Sequence, residues 1–156
     1  MAENIQISQA TFEDAVEILD LQKLAYQSEA QAYDDWTIPP LLQTIEEIQY
    51  EFNTHSFLKA VNKHSIIGSV RTHMMGDTCH IGGLIVHPNW QNKGIGTRLM
   101  AEAENMNQNA TRFELFTGSL SIKNIHLYHK LGYQEFRREQ LSSKVELVYL
   151  EKINSF

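Results

Sequence analysis

Cysteine is almost missing from this chain, with one residue, Cys79, among 156. A lone thiol excludes an intrachain disulfide framework and fits a reducing compartment. Long hydrophobic runs are missing as well. Apolar residues make up 42% of the chain, but no run reaches the ~20 residues that cross a bilayer, which excludes a membrane-spanning protein. Basic clusters are also missing. The 13 Lys and Arg stand against 19 Asp and Glu, a net charge of −6, where a nucleic-acid binder would present a basic face. That acidity serves solubility first and the attraction of cationic amines second. Met1-Ala2-Glu3-Asn4 lacks the basic and apolar regions of a secretory signal. No repeat, linker or low-complexity tract interrupts the chain. The expectation is one domain over residues 1–156 with an ordinary core, working in the cytoplasm without a membrane or nucleic-acid partner.

Residues 80–100 organise what is present. They open with an apolar run, 81–86, too short for a lone helix and rich enough in branched side chains to read as a buried strand. Pro88 removes a backbone donor and ends it. A helix begins near Gly94, with Ile95, Leu99, Ala103 and Met106 supplying one apolar face. The connecting loop Gln91-Asn92-Lys93-Gly94-Ile95-Gly96-Thr97 therefore lies at a helix N-terminus. Its two glycines let a ligand approach the backbone, and the first-turn N–H groups point outward with the positive end of the helix dipole behind them. This is an anion site built of backbone, to which Lys93 and Arg98 could add charge. A dinucleotide fingerprint needs a third glycine where Leu99 stands, and a P-loop needs Gly-Lys-Ser/Thr, which is absent, so both nucleotide readings are weak.

What remains is Gln-x-x-Gly-x-Gly directly after a strand ending in Val-x-Pro. Here the chain resembles the GNAT N-acetyltransferase superfamily, whose members hold the pyrophosphate of acetyl-CoA on this loop. Gln91, Gly94 and Gly96 match the three fixed positions of that motif. A second stretch, Leu127-Tyr128-His129-Lys130-Leu131-Gly132-Tyr133, resembles the other signature of the superfamily. The resemblance covers nearly the whole chain. It implies an α/β fold with a mixed, mostly antiparallel sheet of six or seven strands, helices on both faces and a splayed central strand pair. It also implies acetyl-CoA as co-substrate.

The flanking sequence can be read on its own terms. Ile5 and Ile7 alternate with polar residues as a first strand, and Thr11 with Asp14 has capping-box spacing before a helix whose apolar face is Phe12, Ala15, Val16, Leu19 and Leu24. Segment 26–40 concentrates Tyr26, Glu29, Tyr33, Asp34, Asp35 and Trp36 and reads as a connection over a pocket. Pro40 then starts a helix running to about Phe52. Runs 56–61 and 65–73 form a hairpin, and Gly76-Asp77 turns into the central strand, where Gly82-Gly83 marks a bulge. Residues 113–117 are a strand parallel to the central one by the right-handed crossover rule. A short helix follows, stopped at Gly132, and runs 133–136 and 145–150 are the last strands.

Acyl transfer from a thioester needs a neutral amine, a polarised carbonyl and a proton for the departing thiolate. The resemblance places the pantetheine arm along Leu84, Ile85 and Val86 and the thiolate acid at Tyr128, whose bland reading is a core aromatic. Many members carry Asn where this chain has Ser121. Asn124 stands one turn later, and either residue could instead cap a helix. The region between the first two helices lines the acceptor site in such enzymes, which points to Glu29, Tyr33 and Trp36. The general base stays open among His80, His73, Glu29, Asp34 and a water relay. No metal set converges: His126 with His129 and His73 with His80 lack the further ligands that zinc needs. The reading is N-acetylation of a small-molecule primary amine by direct transfer in a ternary complex. The alternatives are a protein or peptide acetyltransferase and a non-catalytic acyl-CoA sensor. A homodimer is compatible with so small a fold, though no residue demonstrates it.

Overall fold

Two tight turns organise the first half of the sheet. Lys63 at φ 57° and Gly76 at φ 61° reverse the chain, joining β2 (Ser56–Asn62) to β3 (Ser65–Met75) and β3 to β4 (Thr78–Val86) as antiparallel neighbours. The computed structural model describes residues 4–155. The remaining strands are β1 (Ile5–Gln9), β5 (Arg112–Gly118), β6 (Gln134–Gln140) and β7 (Glu146–Ile153), in the sheet order β1-β2-β3-β4-β5-β7-β6. Every neighbouring pair is antiparallel except β4 with β5, the pair joined through α5 (Ile95–Asn105).

Alternation along the strands sends side chains into two cores. Leu58, Ile67 and Leu84 pack with Leu99 and Met100 of α5 and Tyr128 of α6 (Ile122–Lys130). Their neighbours Phe57, Ile66 and Ile85 pack on the opposite face with Ile18 and Leu19 of α1 (Ala15–Ala25) and Ile48 of α4 (Ile45–Glu51). Each fully buried Leu or Ile in these layers contributes roughly 1.5–3 kcal/mol. No helix among the described residues is long and apolar enough to cross a membrane.

Three expectations need correction. The first concerns the buried face of α1. Phe12, Val16 and Leu24 are exposed, while Ala15, Ile18, Leu19, Leu21 and Gln22 are buried. The face is turned because the Gln22 amide is required inside, where its Oε1 accepts from Arg71 at 2.6 Å and its Nε2 donates to the Gln43 side chain at 2.9 Å. Secondly, segment 26–40 is not an open connection. Tyr26 ends α1 and begins α2 (Gln27–Tyr33), which buries Ala30 and Tyr33 and stops at Asp34 in the left-handed region. Thirdly, the expected helix to Phe52 breaks into α3 (Pro39–Leu42) and α4. Gln43 bridges Gln22 and Glu51, and a Thr44/Glu47 capping box restarts the helix.

Candidate active site

The central strand pair opens as it rises. β4 and β5 pair only through Thr78 with Arg112, Cys79 with Phe113 and His80 with Glu114. Above that point β5 stays on β7 and residues 81–86 of β4 have no partner on the β5 side. A bulge deepens the separation: Gly82 pairs with Arg71 and Ile85 with Ser69, so two β4 residues oppose one on β3. Gly83 sits there at φ 61°. A Cβ on it would lie 2.6 Å from Arg71 Nε, so glycine is required both for the backbone and for room. The Arg71 guanidinium is held by Glu51 at 2.5 Å and stacks over Phe57 at 4.6 Å.

Two clefts meet at this opening. The first, about 770 Å³, is lined by Leu84, Ile85 and Val86 of β4 and by Gln91, Asn92, Gly94, Ile95, Gly96 and Thr97 of the loop and α5. Gly94 caps α5 at φ 80°, and the first helical bond runs from the Arg98 N–H to its carbonyl at 3.1 Å. The N–H groups of Ile95, Gly96 and Thr97 therefore have no acceptor inside the helix. Ser121 and Asn124 line this cleft too. The expected cations do not. Lys93 lies over the Trp90 ring at 5.9 Å, and Arg98 donates to the Ile5 carbonyl at 3.0 Å. Cationic lining comes instead from Lys123 and Lys130, with His126 between them. The sequence signal for that set was its i, i+3, i+7 spacing on one face of α6.

The second cleft, about 1000 Å³, spreads between α2, the α3–α4 region, the lower half of β3, the opening stretch of β4 and the upper halves of β5 and β7. Tyr128 lines it, as do His73, His80, Glu114, Phe116 and Tyr149. Tyr26, Glu29, Tyr33, Leu84 and Asn124 line both clefts and form the junction. Tyr33 is anchored there by accepting from the Leu120 N–H at 2.8 Å, in space that Gly118 leaves free. Ser121 donates its hydroxyl to Glu29, and it makes no helix-capping bond. The Ser121 hydroxyl is thus directed at α2 and not at the start of α6.

Electrostatics at the junction are set by burial. Desolvation lifts the Glu29 carboxyl to about 7 and the Tyr26 phenol to about 12. Burial also holds the Tyr128 phenol well above its ordinary value, with the Tyr26 and Glu29 charges adding to the effect. Trp36 is half exposed and lies in neither cleft. Asp34 likewise faces solvent, where its carbonyl accepts from Lys144 at 2.6 Å. His80 Nδ1 stands 3.8 Å from Glu114, and His73 Nδ1 lies 2.8 Å from the Thr54 carbonyl with its ring stacked on His55.

A splayed β4/β5 pair, with a glycine-capped helix aimed at one side of the opening and a tyrosine at the other, defines a class built to hold an anionic carrier against a second ligand. The comparisons agree. Residues 15–133 match the model of the Acetyltransferase (GNAT) family, and the chain belongs to that family. The PaiA N-acetyltransferase of Thermoplasma acidophilum, solved in complex with coenzyme A, superposes with a TM-score of 0.80 at 17% identity, covering 98% of this chain and 99% of that one. The ribosomal-protein-S18-alanine N-acetyltransferase of Escherichia coli gives 0.80 at 13% identity, covering 97% and 95%. Both share the fold. The UPF0157 protein YqkA of Bacillus subtilis is 29% identical over 135 residues, or 86% of this chain. The chain spans 38% of the length of that relative.

Proposed function

We propose that this chain transfers an acetyl group from acetyl-CoA to a primary amine of a small molecule, directly and within a ternary complex. The observation that carries the reading is the meeting of the two clefts at Leu84, on the unpaired half of β4, with Tyr128 beside them. Acetyl-CoA supplies an activated acyl carbon and a thiol leaving group.

The residues of the first cleft suit that carrier. The free N–H groups of Ile95, Gly96 and Thr97 suit a pyrophosphate, Gly94 and Gly96 offer no Cβ to obstruct it, and Lys123 and Lys130 add positive charge. Leu84, Ile85 and Val86 offer strand backbone to an amide-bearing arm. Tyr26, Tyr33 and Leu84 present largely apolar surface where the clefts join. Tyr128 keeps its proton at any physiological pH, because burial raises its phenol, and so stands ready to protonate a thiolate as nitrogen gives up its own proton.

The test is release of coenzyme A thiol by the purified protein, with acetyl-CoA and a panel of benzylamine, putrescine and a hexapeptide beginning with alanine. Amine-dependent release is expected. Tyr128→Phe is expected to lower it about 10²–10⁴-fold with acetyl-CoA binding unchanged. Unchanged turnover in that variant would remove the acid role. Binding without release by any amine would make the protein an acyl-CoA sensor. Release with the peptide alone would make its acceptor a protein terminus.

A further inference from the structure

Glu29 differs from every other carboxylate lining the second cleft. Glu51 is paired with Arg71 at 2.5 Å, Glu114 with Arg112 at 2.7 Å and Glu139 with Arg137 at 2.9 Å. Glu47 is occupied in capping α4, accepting from the Thr44 N–H at 2.8 Å. Among the described residues no cation pairs with Glu29. Its hydrogen-bond donor is the Ser121 hydroxyl, and its titratable neighbours are the phenols of Tyr26, Tyr33 and Tyr128. Among the described residues it is also the sole carboxylate on both clefts. His80 and His73 line the second cleft alone and have partners of their own in Glu114 and the Thr54 carbonyl, and His126 lines the first cleft alone.

Glu29 is half-buried, and a partly desolvated carboxylate without a counter-ion is stabilised by an arriving cation. We propose that Glu29 receives the acceptor as an ammonium and takes its proton, acting as the general base of the transfer. The assignment rests on the acetyltransferase reading above. One ammonium N–H bond breaks and an O–H bond forms on Glu29. The freed lone pair makes the N–C bond to the thioester carbonyl carbon, and the C–S bond breaks with its electron pair on sulfur. Tyr128 protonates that sulfur and is refilled by the second proton lost from nitrogen. Glu29 then releases its proton to solvent through the second cleft. Ser121 is a positioning residue that holds the Glu29 carboxylate at the junction. The elevated Glu29 pKa matches such a base to neutral pH.

The experiment compares acceptors that do and do not need deprotonation. Benzylamine, putrescine and the alanine hexapeptide present ammonium groups at neutral pH, whereas hydroxylamine is already neutral. In Glu29→Gln, turnover of the wild type's best ammonium acceptor is expected to fall about 10²-fold at pH 7, with hydroxylamine turnover held within about threefold. Acetyl-CoA affinity by calorimetry is expected to be unchanged. The rate of the wild type with the ammonium acceptor rises with pH through about 7 and then levels off, whereas the variant, left to the free-amine fraction, keeps rising toward the amine's own pKa. Equal losses with both kinds of acceptor, or no loss with either, would overturn the assignment while leaving the acetyltransferase reading standing. A wild type that binds acetyl-CoA but turns over neither kind of acceptor would overturn both.

Discussion

The two clefts are built by opposite means. The first is backbone: the free edge of β4, a left-handed cap at Gly94 and the opening turn of α5. The second is side chains drawn from α2, the α3–α4 region and five strands, tied together by Arg71, Gln22, Gln43 and Glu51. A backbone site asks for glycines at set spacing and tolerates most neighbours. A side-chain site asks for distant residues that no short motif contains. This contrast explains why the family likeness speaks to the donor while the acceptor stays a matter of this chain's own residues.

Gly83 stands next to Leu84, where the two constructions touch, and breaking it should have the largest effect on stability. Gly83→Ala places a methyl 2.6 Å from Arg71 Nε at a backbone φ of 61°. The guanidinium is clamped, so it cannot yield cheaply. A loss of about 3 kcal/mol is expected in denaturant unfolding. A loss under about 0.5 kcal/mol, the range of an ordinary surface change, would mean that Arg71 does not fix the bulge.

The junction carboxylate sharpens the contrast through pH. Glu29 titrates near 7 in the fold, against an ordinary value of 4.5. Between those values the folded chain keeps a proton that the unfolded chain releases, so stability falls as pH rises from about 4.5 to about 7. Above 7 the full cost of the buried charge is present. The amide that replaces the carboxylate in Glu29→Gln carries no charge at any pH. The variant should therefore gain on the wild type between pH 5 and pH 8, by on the order of 2 kcal/mol after allowing for partial solvent contact. A pH-independent gap would place Glu29 in water, outside the junction.

The smallest effect belongs to the surface. Trp36→Ala should change stability by no more than about 0.5 kcal/mol and leave turnover untouched. A rise in KM for the amine would return Trp36 to the acceptor site.

The same contrast governs what the amino-acid order revealed. Gly83 in the bulge, Gly94 at the α5 cap and Gly132 at the α6 stop each sit at positive φ, a backbone geometry that few other residues reach, and the strand, loop and helix around them could be placed from the chain alone. The α2 stripe of Tyr26, Ala30 and Tyr33 was hidden among Gln, Ser and Glu, whose polarity masks the helical period. Gln22 misled in the opposite sense. It looks like a solvent residue, yet its amide oxygen accepts from a buried guanidinium, and its inward turn leaves Phe12, Val16 and Leu24 outside. Gly118 reads as a strand end, but its use is to admit the Tyr33 hydroxyl. Each of these needs a partner far along the chain, which local pattern cannot supply.

The central claim is that the first cleft holds acetyl-CoA on the backbone of the α5 N-terminus. Isothermal titration with acetyl-CoA, wild type beside Gly96→Glu, tests it most directly. A Cβ at residue 96 meets only ordinary contacts, the nearest being Leu127 at 3.4 Å, so the variant should fold while its carboxylate fills and repels the anion site. The account predicts saturable wild-type binding, weakened at least about 100-fold in the variant. Equal binding by both proteins, or none by the wild type, would contradict it.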